Sequence, residues 1–341
     1  MRVNPICIAI RFVPIGVLFA VHCSSGHWPS DGECAERVMR DGFSVELFRM
    51  RPLSVLTHLL VHVSSDHLLR NALMFAATLI EFGDTYTVQR RSDDVEEGDA
   101  EAMPASQRQD SMPAQLRALW GERSPLQACV RTIGAFTVWM LGGALGGLGG
   151  QLLYNNSTVA LRRERATRAA LAVCASQQSA AEESGAGVLA TLTRHARILH
   201  QRMEALNASF AADAQEAVND AMLMCGASAG ICALSGFNAV YYRRPLTAVC
   251  VVVPEMVVLS MDLLNHYVAL LGAPWGLSGI SKQASQQAVI RSTWRMLMPG
   301  QTVGHAAHVG GFVVGAGMGW GLLWVQRCRL RHAPACRRAH H

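Results

Sequence analysis

Six stretches of this chain are nearly uncharged and approach or exceed the roughly 20 residues needed to cross a hydrocarbon core. They run over Ile6–His22, Leu56–Phe82, Thr132–Leu153, Ala221–Tyr241, Leu246–Leu271 and Val303–Val325, and soluble-looking segments separate them. No other feature restricts the fold as strongly, because lipid cannot satisfy a backbone N–H or C=O and each span must do so internally. Six spanning helices are therefore expected. The first is the weakest of them, short and interrupted by Arg11 and Pro14. The expected first element is a membrane helix or signal anchor, since no small-residue cleavage site follows it. Half the residues are hydrophobic and 16% are charged, and it is the uneven distribution that carries the information.

The net charge of +5 does not suggest nucleic acid, because no long basic stripe interleaves with exposed aromatics. The arginines sit instead beside apolar runs: Arg90-Arg91 after the second, Arg243-Arg244 after the fourth, and a basic tail after the sixth. With alternating crossings all three fall on one side, which the positive-inside tendency makes cytosolic. The loops after the first, third and fifth runs then face outward or into a lumen. Residues 84–128 are a charged linker including "DDVEEGDAE", with too little apolar surface to form a core. Residues 154–220 are rich in Ala, Glu, Arg and Gln and predict one or two soluble helices. The third run carries "GGALGGLGG"; such glycines weaken a helix in water but allow close helix approach between lipids.

The ten cysteines have no metal-type spacing, so no metal site is expected. Cys23 and Cys34 flank a polar loop and are candidates for a disulfide if that loop faces an oxidising space. Asn155, Asn156 and Asn207 each lead a sequon, which marks them as glycosylation candidates on the luminal side.

With that alternation, three polar islands lie at similar shallow depth on the outer side. His62, His67 and Asn71 stand at the mouth of the second run. Ser228 lies about seven residues into the fourth, and His308 about five residues into the sixth. Four residues separate His67 from Asn71, which puts them on one helical face. Gly226, Ala227, Ala229 and Gly230 surround Ser228 and leave its hydroxyl accessible. A histidine from another helix can activate such a serine as a nucleophile. Donors from His67 and Asn71 suit the oxyanion that forms when the serine attacks a carbonyl.

These islands resemble the signature of the rhomboid intramembrane serine proteases. The family's second-helix pattern His-x-x-x-His-x-x-x-x-His-x-x-x-Asn is matched by His58, His62, His67 and Asn71. Its fourth-helix Gly-x-Ser is matched by Gly226 and Ser228, and its sixth-helix Ala-His-x-x-Gly-x-x-x-Gly by Ala307, His308, Gly311 and Gly315. The likeness covers roughly residues 56–325. It implies an all-α polytopic membrane protein, a six-transmembrane-helix rhomboid-like bundle. It also implies an endopeptidase that cuts single-pass transmembrane proteins in or near their membrane segment, without metal or cofactor. Ser228 would be the nucleophile and His308 the base, with His67, Asn71 and the Ser228 amide holding the oxyanion. His62, Gly226, Ala229, Gly230, Gly311 and Gly315 would support them.

The chain departs from the family pattern in several places. Ala229 replaces a glycine, Cys232 stands where a tyrosine commonly packs on the histidine, and Leu53-Ser54 stand at the place of a Trp-Arg pair. "GLSG" at 276–279 fits the serine motif by letters, but the polar "ISKQASQQ" after Ser278 cannot continue a membrane helix, so Ser228 is preferred.

The expected organisation is a first segment and outer loop over 1–55, a catalytic membrane domain over 56–325 with inserts at 84–128 and 154–220, and a basic tail over 326–341. An endomembrane or plasma-membrane location is favoured, the mitochondrial inner membrane being the other option. Two further readings stay open: an inactive relative that binds membrane clients, and a small transporter using Glu255, Asp262 and the histidines as a polar path. No aspartate has an obvious place behind His308, so a Ser-His dyad is expected rather than a triad.

Overall fold

In the computed structural model the apolar runs are helical, but their boundaries shift from the sequence expectation. The structure describes residues 4–82, 124–182, 188–221, 223–271 and 304–337. In chain order the elements are α1 (Pro5–Arg11), α2 (Val13–His22), α3 (Asp31–Asp41), α4 (Val45–Phe48), α5 (Ser54–Thr57), α6 (Ser65–Glu81) and α7 (Pro125–Leu141). A π-helical stretch, Gly142–Gly147, joins α7 to α8 (Leu148–Glu182). Then come α9 (Val188–Ala221), α10 (Ser228–Tyr241), α11 (Leu246–Leu271) and α12 (His305–Arg337). Among the described residues no strand forms beyond one isolated bridge, Phe43 with Met224.

Among the described residues, three helices are long and apolar enough to cross a membrane: the continuous helix from Pro125 to Ala175, Leu246–Leu264 and His305–Cys328. The pair α1–α2, bent by 54°, makes a fourth if it counts as one span. The helices α6, of 17 residues, and α10, of 14, are shorter than the runs that contain them. The linker 84–128 lies mostly outside the described residues, as do the loop with Ser278 and residues 338–341 of the basic tail. No helical break separates the third run from the start of the 154–220 insert, because α8 (Leu148–Glu182) continues from one into the other.

The described residues divide into two units. The first draws on 1–151, 223–256 and 306–341, the second on 152–222 and 257–305. The first unit holds all the matched polar islands. Its core is apolar and aromatic: Phe75 stacks on Trp139 and Phe82 on Phe237, with Leu59, Leu68, Leu79, Ile231 and Leu234 filling between.

Polar groups gather at the C-terminal end of α6. Arg11, which interrupts the first run, is only 3% exposed. Its guanidinium donates to the Leu79 carbonyl at 2.8 and 2.9 Å and to the Phe82 carbonyl. These carbonyls lie where a helix runs out of its own donors, and a cation there suits the helix dipole. Pro14, at the start of α2, sets the bend. At the same end Asn238 Nδ2 donates to Thr78 O at 2.9 Å, and the Thr247 hydroxyl and amide donate to Glu81.

The outer loop carries α3, opened by a reciprocal capping box. Ser30 Oγ accepts from the Glu33 amide and the Ser30 amide donates to Glu33, which satisfies two orphan donors at once. Cys34 turns with Val38 into the buried face of α3, and Cys23 and Cys34 are both free thiols, so the candidate disulfide is not formed.

In the second unit the Tyr154 hydroxyl donates to Asp262. Arg168 pairs with Glu164 across one helical turn at 2.9 Å, and α9 exposes Leu192, Leu199, Met203, Leu206 and Phe210 at heptad-like spacing. Asn156 and Asn207 are exposed, whereas Asn155 is buried within α8. Of the three sequon asparagines, Asn155 is therefore out of reach of a glycosyl donor once the chain has folded.

Candidate active site

Three helix beginnings meet in the first unit: those of α6, α10 and α12. Each start is fixed locally. Ser64 caps α6 by accepting from the His67 amide at 3.2 Å. The stretch before α10 is non-helical because Gly226 has φ +104°, a conformation that L side chains rarely adopt. Ser228 is consequently the first residue of α10. This corrects the expectation that it lies seven residues inside a helix. His58 and His62 likewise precede α6, and only His67 and Asn71 of the four-residue pattern are helical.

The strand-like segment before Ser228 is held from several directions. Phe43 and Met224 exchange two backbone hydrogen bonds, at 2.9 and 2.7 Å. The Gly226 amide donates to His58 O at 2.8 Å. The Ala227 amide reaches His62 Nε2 at a long 3.5 Å, and Trp139 Nε1 donates to Ala227 O at 3.2 Å. His62 is 2% exposed, and its ring meets that of His67 edge-on at 5.1 Å between centroids. Its supporting position thus follows from the loop and not from a helical face.

His308 Nε2 lies 2.8 Å from Ser228 Oγ. Small residues make this approach possible. A β-carbon added at Gly311 or Gly315 would strike the backbone of Ala229 or Ala233, so α12 packs directly on the α10 backbone. On the opposite side, Gly230 faces Trp139 and leaves room for no side chain. The π-helical glycines serve the same packing, with Gly146 against Gly310 and Gly147 against Ala229.

His67 and Asn71 reach the same backbone. The position a β-carbon would take on Gly226 is 2.7 Å from His67 Cε1, 3.1 Å from His67 Nε2 and 3.6 Å from Asn71 Nδ2. Asn71 is 7% exposed, and its Nδ2 is buried without a hydrogen-bond partner among the described residues. A buried amide donor costs about 1–3 kcal/mol when unpaired, so a donor left open against Gly226, two residues before the serine, is suited to an incoming oxygen. The Ser228 amide, at the first position of α10, also lacks an intrahelical acceptor.

Chemically, the arrangement offers a hydroxyl in contact with an imidazole, and donors on the adjacent backbone side. That set suits acyl transfer. Among the described residues, no three metal-ligating side chains gather to hold an ion.

One group is missed by the sequence reading. The Glu255 carboxylate of α11 lies 3.1 Å from His308 Nδ1, where no aspartate has an obvious place and a dyad is expected. In the second unit, Asp262 accepts from the Tyr154 hydroxyl. Cys232 is buried in α10, at 1% exposure.

Compared with protein-family models, with curated proteins and with solved structures, the chain matches none.

Proposed function

We propose that this chain is an intramembrane serine endopeptidase of the rhomboid kind. It would cleave single-pass transmembrane proteins within or near their membrane segment. The observation that carries this reading is the 2.8 Å contact between Ser228 Oγ and His308 Nε2; the Asn71 donor near Gly226, unpartnered among the described residues, supports it. Ser228 attacks the scissile carbonyl as its proton passes to His308 Nε2. The carbonyl oxygen, now an oxyanion, takes hydrogen bonds from Asn71, His67 and the Ser228 amide. His308 returns the proton to the leaving amine, and water then hydrolyses the acyl-enzyme through the same histidine.

The six-span arrangement belongs to this reading. The bent pair α1–α2, α6, the α7–α8 helix, α10, α11 and α12 are its crossings. With only 14 residues, α10 falls short of the roughly 20 that span a hydrocarbon core. Its first residue, Ser228, then sits below the membrane surface, where an outward cavity must bring water.

The test is labelling of the detergent-solubilised protein by a fluorophosphonate probe, paired with cleavage of a single-pass transmembrane substrate in lipid. Wild type and Ser278→Ala should label and cleave, while Ser228→Ala and His308→Ala should do neither. A folded wild type silent in both assays would favour a client-binding role. Labelling abolished by Ser278→Ala alone would overturn the site.

A further inference from the structure

The strongest unassigned feature is the buried acid behind His308. Glu255 is 5% exposed and sits on α11, directly after Pro254, which cannot donate a helical hydrogen bond to the Cys250 carbonyl. Its Oε1 is 3.1 Å from His308 Nδ1, and both side chains are largely withdrawn from solvent. That separation is in the ion-pair range, though the pair lacks hydrogen-bond geometry: Nδ1 has no hydrogen-bond partner among the described residues. In unliganded enzymes such contacts are commonly misaligned and tighten in the substrate complex.

We propose that Glu255 is the third member of the site, a positioning residue that makes Ser228–His308 into a Ser-His-Glu triad. The proposal rests on the protease reading above. Three physical requirements meet at this one carboxylate. First, Nε2 can accept the serine proton only if the neutral ring carries its hydrogen on Nδ1, and an anion facing Nδ1 selects that tautomer. Second, the ring must hold its plane while its other nitrogen contacts Ser228, and an acceptor at Nδ1 limits its rotation. Third, the proton transferred from Ser228 Oγ leaves a positive imidazolium, and a carboxylate at 3.1 Å offsets that charge where water cannot. The proton stays on the imidazole and later passes to the leaving amine; Glu255 neither gains nor loses one. This is the division of labour in acid-oriented serine–histidine pairs generally.

The location of the acid supports a role in the site. A buried carboxylate is costly unless paired, and a structural ion pair has no need to choose the one histidine that touches the serine. The carboxylate and the serine contact opposite nitrogens of the same ring, which is the geometry a relay of orientation requires.

The test measures kcat and KM for transmembrane-substrate cleavage, and the fluorophosphonate labelling rate, in wild type, Glu255→Gln, Glu255→Leu and Glu255→Asp. All values are normalised to folded protein. Glu255→Gln and Glu255→Leu should lower kcat by about 10²-fold or more with KM within about twofold, and slow labelling without abolishing it. Glu255→Asp, which keeps the charge, should recover a large part of the loss. Any folded Gln or Leu variant with wild-type kcat overturns the proposal while leaving the protease reading intact. So does an Asp variant no better than Gln, which marks a packing role. If wild type itself neither labels nor cleaves, both readings fall together.

Discussion

His308 Nε2 contacts Ser228 Oγ at 2.8 Å although 80 residues separate them in the chain. The contact depends on α10 and α12 meeting with almost no side chain between them. Gly311 and Gly315 lie against the Ala229 and Ala233 backbone, so the distance between hydroxyl and imidazole is set by missing atoms. In a bilayer, where lipid tails compete equally for apolar side chains, close backbone packing of this kind is what drives helices together.

Asn71 is expected to act on the transition state and not on binding. Its Nδ2 is buried without a partner among the described residues and lies 3.6 Å from where a β-carbon on Gly226 would sit. Asn71→Ala should lower kcat by about 10²–10³-fold with little change in KM. Steady-state kinetics on a transmembrane substrate check this; a fall confined to KM would assign Asn71 to substrate binding.

Gly226 should tolerate no side chain. Its φ of +104° strains any L residue, at a cost of about 1–3 kcal/mol, and a β-carbon there would press into the His67 ring. Gly226→Ala should lower the unfolding midpoint in detergent and cut activity further than the loss of folded protein explains. An active, wild-type-stable Gly226→Ala would mean that the loop before Ser228 takes another conformation in lipid.

Arg11 lies at the other end of α6 from the site and should matter for stability alone. Arg11→Met keeps most of the stem but leaves the Leu79 and Phe82 carbonyls without their donor. Hydrogen bonds from a charged group contribute roughly 1.5–3 kcal/mol, so the unfolding midpoint should drop. The probe-labelling rate of the folded fraction should remain that of wild type, and a changed rate would tie α1–α2 to the site.

The capping box of α3 gives a pH dependence with a defined sign. The backbone amide of Ser30 first, then its hydroxyl and His27, hold the Glu33 carboxyl down to about 2 from an ordinary 4.5. A depressed carboxyl contributes stability above its unfolded value and loses it as pH falls through the folded one. Amide hydrogen exchange across α3, compared between wild type and Glu33→Gln at each pH, should differ clearly at about pH 6. The difference should shrink below about pH 4.5 and keep falling as pH passes through about 2, vanishing only below that value. A difference that persists at the acid end would show that the carboxylate is not its source.

The residue types of the candidate site, their order, and the apolar runs that hold them are all legible in the amino-acid sequence. Hydrophobic patterning places the start of α11 at Leu246, because a long apolar run has only one way to satisfy its backbone in an apolar medium. The start of α10 is not legible in the same way. The turn at Gly226 depends on Phe43, His58 and Trp139 holding that stretch out of the helix, and nothing local to residues 221–227 encodes their presence. The bend at Phe12 is marked by Arg11 and Pro14, yet the acceptors for Arg11 come from the end of α6, 68 residues or more away. Glu255 is visible in the sequence only as a charge in an apolar run. Its meeting with His308 depends on how α11 is rotated against α12, and packing between helices decides that rotation where residue spacing does not.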